Sequence, residues 1–204
     1  FGQDNAIEFG FTSTGALELW SEGLNTNLLT ATDTYPRDGD WHHIAGVGDG
    51  QRMYIYIDGK LEASVSHNAL STARYGTSTA NSVIGAYVWA SGTPNFFNGQ
   101  MLKVGFWNRA LNASEIIELA SGPYQYSETD NGLIAGYNFF EGAGTSLSRI
   151  PGGAAGTITG SPASAWTDLC TYSWTKQGGG YTATTRNISS IGTGTYDIEV
   201  TIAG

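Results

Sequence analysis

The stretch from Trp41 to Leu61, WHHIAGVGDGQRMYIYIDGKL, constrains the fold more than any other part of the chain. Trp41, His43, Ala45 and Val47 fall on one side of an extended backbone, and His42, Ile44 and Gly46 on the other. Ten residues on, Met53, Ile55 and Ile57 face one way and Arg52, Tyr54 and Tyr56 the other. A period of two in β-branched and aromatic residues is the signature of strands. Asp49-Gly50 lies in the connection and Asp58-Gly59 closes the second run. Asp-Gly supplies the positive φ values of a tight hairpin, because glycine has no Cβ to clash. The pattern predicts strands over 41–47 and 52–57, then a second tight turn into a strand over 61–65.

The rest of the chain reads the same way. Strands are expected at 6–12 and 16–20, joined by Ser13-Thr14-Gly15. A polar connection, 33–40, contains Pro36, and a long polar loop runs over 67–81. Short strands are expected at 82–86 and, after the Asn98-Gly99 turn, at 101–107. One helix is expected over 113–120, with Asn112 as its cap and Glu115 three residues on, a capping-box arrangement, and Gly122-Pro123 as its stop. Toward the end, strands are expected at 172–174, 181–185 and 196–202. With 29 glycines and 13% charged residues, and apolar runs that end in Gly, Asn, Asp or Ser, the chain is all-β with one short helix.

Charge and composition remove several classes of function. A net charge of −9 with nine basic residues argues against nucleic acid and against docking on anionic lipid. No apolar run reaches the roughly 18 residues of a transmembrane helix. Cys170 is the lone cysteine, so no internal disulfide forms. The chain opens at Phe1 without an initiator Met and reads as a piece of a longer protein.

No constellation for catalysis stands out. Glycoside hydrolysis needs two carboxylates across a cleft. Asp197 and Glu199 alternate, but on the polar face of the last strand, where solvated carboxylates are expected. His42 and His43 are adjacent and point to opposite faces of a strand, so they do not form one two-histidine site, and His43 is read as half-buried beside Trp41. The aspartates Asp33, Asp38, Asp40, Asp49 and Asp58 sit where turns are expected. The remaining option is the loop 87–98, YVWASGTPNFFN. Tyr87, Trp89, Phe96 and Phe97 offer faces that stack on sugar C–H groups, and Asn95 and Asn98 offer amides for hydroxyls. A plainer reading of the same rings is that they cover the rim of the fold.

Two blocks carry a resemblance. W-H-H-I-A-G-V-x-D-G followed by Tyr56-Ile57-Asp58-Gly59-Lys60 is similar to the signature of laminin-G-like, or concanavalin A-like, jelly-roll domains. The run from Phe97 to Val104, then Phe106-Trp107-Asn108-Arg109-Ala110-Leu111 and Ser114-Glu115-Ile116, resembles that family's closing strand and the helix after it. The resemblance implies a jelly-roll β-sandwich of the concanavalin A/laminin-G-like kind whose opening strands are missing. Residues 132–160 resemble the start of such a domain, and are expected to fold back and supply those strands as a circular permutation. In related sequences the closing strand carries an acidic pair. Here Leu102 and Lys103 stand in its place, so the family's calcium stays open as a cofactor with no ligand set. The tail, with Tyr172-Ser173-Trp174 and then Gly194-Thr195-Tyr196-x-Ile198-x-Val200-Thr201, is similar to the SprB-type Ig-like repeats of Bacteroidota surface adhesins. The expected organisation is therefore a jelly roll over 1–166 and part of an Ig-like β-sandwich over 167–204.

These resemblances imply a non-catalytic adhesion or carbohydrate-binding module of a large cell-surface adhesin, of the kind exported by the type 9 secretion system in gliding bacteria. Its location would be extracellular, on the bacterial outer surface. Its partners would be a glycan or surface polysaccharide and neighbouring domains of the same long chain, without nucleic acid or membrane insertion. Two alternatives stay open. One is an accessory carbohydrate-binding module beside a glycoside hydrolase. The other is a spacer or assembly domain of a surface filament or phage tail fibre.

Overall fold

A computed structural model describes residues 7–21, 26–29, 38–66, 82–87, 95–122, 124–139, 141–160, 165–166, 170–180, 182–184 and 193–202. The chain is all-β, and the described residues include one α-helix. It divides into two compact units. One comprises residues 1–138 with 149–154, the other residues 139–148 with 155–204.

In the first unit, β1 (Ile7–Phe11), β2 (Leu17–Ser21) and β3 (Thr26–Leu29) form an antiparallel sheet in that order. A second antiparallel sheet contains β4 (Ile44–Gly48), β5 (Arg52–Ile57) and β6 (Lys60–Ser66). The alternation along β5 decides what each face meets. Met53, Ile55 and Ile57 pack with Leu17 and Leu19 of β2, and Ile7, Phe9, Ile44, Ala63 and Val65 close around them. Tyr56, with Tyr54 beside it, joins Val47 and Ala45 on the opposite face, against Ile116 and Leu111. The central sheet is thus buried on both sides, by a sheet and by a helix. This is why the middle strand, β5, is apolar or aromatic at every position from Met53 to Ile57, whereas β6 alternates Leu61, Ala63 and Val65 with Lys60, Glu62, Ser64 and Ser66.

Both Asp-Gly turns form where expected. At the first, Asp49 Oδ1 accepts the amides of Gln51 and Arg52 at 2.8 and 2.7 Å, and Oδ2 accepts the Tyr54 hydroxyl at 2.8 Å. At the second, Asp58 and Gly59 have φ of 49° and 78°. Two successive positive φ values are the mark of a type I′ hairpin turn. The ideal Cβ of a residue at Gly59 would also lie 3.3 Å from the Ile117 backbone. The strand expected from Trp41 begins at Ile44 instead, because its partner β5 ends at Ile57. Beyond that point Asp58 takes over: its amide donates to the His43 carbonyl at 2.8 Å and its Oδ1 accepts the His43 amide at 2.9 Å.

Five further elements complete the first unit. β7 (Ala86–Tyr87) pairs with β8 (Asn95–Phe96). β9 (Val104–Trp107) is followed by α1 (Ala113–Ala120) and pairs antiparallel with β10 (Leu133–Tyr137). β9 starts later than position 101 because its partner ends at Tyr137, opposite Val104. A bridge between Gly136 and Ile150 adds a further antiparallel contact. The expected loop over 67–81, the connection over 33–37 and the middle of the aromatic loop, 88–94, lie outside the described residues.

The helix begins as its sequence predicts. Asn112 Oδ1 accepts the amides of Ser114 and Glu115 at 2.9 and 3.1 Å, and the Glu115 carboxylate accepts the Asn112 amide at 2.8 Å. The same carboxylate takes both terminal nitrogens of Arg109, at 2.6 and 2.9 Å. Arg109 Nε in turn donates to the Asn131 carbonyl, tying the helix start to the turn before β10. These donors, Arg109 first, hold the Glu115 carboxyl at about 2. Its contribution to stability is therefore fully present above pH 4.5 and is lost as pH falls from there through about 2. Asn112→Ala removes the acceptor for two orphan amides and is expected to cost about 1 kcal/mol, measured as a lower thermal midpoint at pH 7.

The second unit contains β11 (Ser146–Leu147) paired with β12 (Gly156–Thr157), and a three-stranded sheet ordered β14 (Thr182–Ala183), β13 (Cys170–Lys176), β15 (Tyr196–Ile202). Trp174 pairs with Ala183 on one side and Ile198 on the other. Thr175, Asp197 and Thr182 occupy the neighbouring row, so the alternation expected of the tail is present as a sheet with one apolar and one polar face. The loop over 141–148 is closed by Ser148 N donating to Glu141 at 2.6 Å, and Trp166 Nε1 donates to the Gly144 carbonyl at 2.9 Å.

Candidate functional site

The described part of the aromatic loop carries two exposed rings, Phe96 and Phe97, on consecutive residues of an extended segment, and Phe97 pairs with a ring from β1. Phe96, at the end of β8, is 75% exposed. Phe97 follows at 39% exposure, and its amide donates to the Gly85 carbonyl at 2.9 Å, which fixes the backbone beneath the rings. The Phe97 ring lies over Gly99, where an ideal Cβ would sit 2.6 Å from the ring. Any side chain at 99 would push the ring away. Across from it, Phe11 at the end of β1 stacks on Phe97, with centroids 6.0 Å apart and planes at 18°. Phe11 is itself 37% exposed, and Met101, near Gly85, is 36% exposed.

Of the residues expected to form the site, Tyr87 and Asn95 are brought opposite one another by the β7–β8 register. Phe96 and Phe97 follow directly. Trp89 lies outside the described residues. Phe11 was not legible as part of this site. The signal lies in β1: Ile7 and Phe9 turn into the core, and Phe11 continues the same stripe to a position that is exposed. An apolar residue at i+4 from a buried one on the same strand face belongs to the core only as far as the opposing sheet extends.

The charged groups do other things. Asp38 and Glu115 are both held below the ordinary carboxylate range by hydrogen bonds, chiefly from His42 and Arg109 respectively. That is the opposite direction from a glycosidase general acid, whose pKa is raised. Asp197 and Glu199 are exposed on β15, and Asp197 accepts from Gln177 Nε2 at 3.0 Å. Lys103, at the position of the resemblance's acidic pair, donates its ammonium to the Tyr124 carbonyl, and burial pushes its pKa down. Among the described residues, no group of three or more His, Cys, Asp or Glu side chains is placed to hold a metal ion.

Residues 1–117 match the family described as the concanavalin A-like lectin/glucanases superfamily. The chain belongs to that superfamily, whose name covers both sugar-binding lectins and sugar-cleaving enzymes. No curated protein matches the chain. Among solved structures, it is similar to an S-layer domain-containing protein (residues 221–444) from Clostridium thermocellum ATCC 27405, at 18% identity and a TM-score of 0.34. That similarity covers 57% of this chain and 64% of the other, so the chain spans less than two thirds of its length.

Proposed function

We propose that the chain is a non-catalytic, extracellular carbohydrate-contact module of a larger bacterial surface adhesin, and that Phe11, Phe96 and Phe97 are its contact surface. The observation that carries this reading is the Phe11–Phe97 stack, whose two rings stay partly exposed, with the adjoining residue Phe96 75% exposed. Rings kept exposed on a strand framework offer flat faces to the C–H groups of a sugar ring at little conformational cost. The chain's acidic balance favours a neutral glycan over a sulfated or uronic one. Tyr87, Trp89 and Asn95, read from the sequence of the same loop, are proposed as further contacts. The SprB-like tail supports a place in a long secreted chain. The β9–β10 pairing likewise supports the idea that Leu133–Tyr137 takes the place of an opening strand of the jelly roll.

Glycan-array binding of the intact chain, with and without a calcium chelator, tests the reading. Phe97→Ala is expected to weaken glycan binding by about tenfold or more while leaving the far-ultraviolet circular dichroism unchanged, as for a ring at the centre of a contact. Binding that survives loss of both Phe96 and Phe97 rejects the surface. Absence of binding to any neutral glycan favours the spacer or assembly role.

A further inference from the structure

His42 stands between two carboxylates. Its Nδ1 is 2.8 Å from Asp58 Oδ2 and its Nε2 is 3.0 Å from Asp38 Oδ1, with the side chain only 10% exposed. A neutral imidazole carries one N–H, so one nitrogen would turn a lone pair toward a carboxylate oxygen. Only the imidazolium donates at both ends, and it does so as a charge-assisted pair. Each carboxylate also holds backbone. Asp58 Oδ1 accepts the His43 amide at 2.9 Å, and Asp38 Oδ1 accepts the Asp40 amide at 3.0 Å. The ring therefore joins two acceptor networks, one in the connection that enters β4 and one at the β5–β6 turn.

We infer that His42 is a proton-operated clamp: as imidazolium it ties the connection 38–43 to the β5–β6 turn, and on losing its proton it releases the Asp38 end. The Asp58 end is the one retained. Asp58 is also bonded through its own amide to the His43 carbonyl, and the adjoining Gly59 packs under Ile117 and Ala120 of α1. Asp38 has no such support among the contacts described.

The surrounding charges agree with this assignment. The connection carries Asp38 and Asp40, and the turn carries Asp58 and Lys60. Lys60 is itself paired with Glu62 at 3.0 Å. The helix presents Ile117 and Ala120 to the turn. The Asp38 hydrogen bond, then that from Asp58, lifts the His42 pKa above its ordinary 6.5. Burial pushes the neighbouring His43 the other way, and its Nδ1 has no hydrogen-bond partner among the described residues. A group raised on folding stabilises most when protonated. The clamp therefore contributes fully below pH 6.5 and is lost as pH rises through the raised value.

Imidazole titration by nuclear magnetic resonance, combined with amide hydrogen exchange corrected for its intrinsic pH dependence, tests this on the intact chain. His42 is expected to titrate above 6.5 and His43 below it. Protection of the Asp40 amide is expected to fall about tenfold across the His42 titration, as for loss of one charge-assisted hydrogen bond. Protection of the Ile55 amide should hold. In Asp38→Asn, which keeps the Asp58 tie, the His42 pKa is expected to drop and the step at Asp40 to vanish. His42→Gln should abolish the step as well. Should that variant fail to fold, Asp38→Asn carries the test alone. A His42 that titrates at or below 6.5, or Asp40 protection that stays constant across its titration, overturns the inference.

Discussion

Replacing Ile55 with alanine is expected to destabilise the first unit by about 2–5 kcal/mol, with the result in the upper half of that range. Ile55 is wholly buried, with Leu17, Leu19, Met53 and Ile57 around it. Its cross-strand neighbours explain the size of the effect. Ile55 lies between Gly46 on β4 and Ala63 on β6, the two smallest side chains available. Leu19 and Phe9 of the facing sheet already lean over Gly46, 3.1 and 3.2 Å from where its Cβ would be. Ile55 is the bulk that fills this row. Once it is trimmed, no neighbour on its own sheet can swell into the space, and the backbone pairing on both sides prevents collapse. Urea denaturation followed by fluorescence should show a lower midpoint with an unchanged slope, the sign of lost stability without a change in unfolding cooperativity. A loss below about 1 kcal/mol would mean that the two sheets close on the gap, contrary to the packing described.

Adding a single methyl group at Gly136 is the second large effect. Gly136 of β10 and Gly105 of β9 are direct register partners. The Tyr126 ring lies along both. Its Cγ and Cδ2 are 2.7 Å from an ideal Cβ at 136, and its Cζ is 2.7 Å from one at 105. The ring cannot slide off. Trp107 and Tyr124 meet it edge-on at 5.6 and 6.0 Å, and the buried Asn138 accepts the Tyr126 amide at 3.2 Å. Burial raises the phenol pKa of Tyr126, and Tyr124 is pushed up to about 12 by burial and by Asp130, so both stay neutral near pH 7. Gly136→Ala must therefore displace either the ring or the β9–β10 pairing, at a cost of about 1–3 kcal/mol. A double-mutant cycle with Tyr126→Ala identifies the cause. The cost of Gly136→Ala should largely disappear when the ring is absent, a coupling within the roughly 0.5–3 kcal/mol seen for residues in contact. An equal cost in both backgrounds would place the effect in the backbone rather than in the ring.

Much of the fold is legible in local patterns. The alternation at 52–57 places Met53, Ile55 and Ile57 on one face and Tyr54 and Tyr56 on the other, as observed. Asp49-Gly50 and Asp58-Gly59 mark both turns, and the spacing of Asn112 and Glu115 marks the helix start. Each of these depends on residues within four or five positions of one another, the range over which backbone sterics and capping act. The candidate site is less legible. Phe96 and Phe97 stand out as neighbouring rings in a polar loop, but Phe11 looks like one more core residue of β1, because its exposure depends on where a different sheet stops. His42 and His43 are indistinguishable in sequence, yet one gains two carboxylates and the other is pushed toward neutrality by burial.

What the amino-acid order determined by itself is the all-β class, the strand faces, the turns and the capped helix, since all of these follow from short-range geometry. The tertiary structure alone decided which face of the central sheet meets a sheet and which meets a helix, and that Gly105 and Gly136 oppose each other beneath Tyr126. It also decided that Asp38 and Asp58, twenty positions apart, converge on one imidazole. These outcomes rest on partners far apart along the chain. No local propensity encodes them, because each is selected by the packing of whole elements against one another.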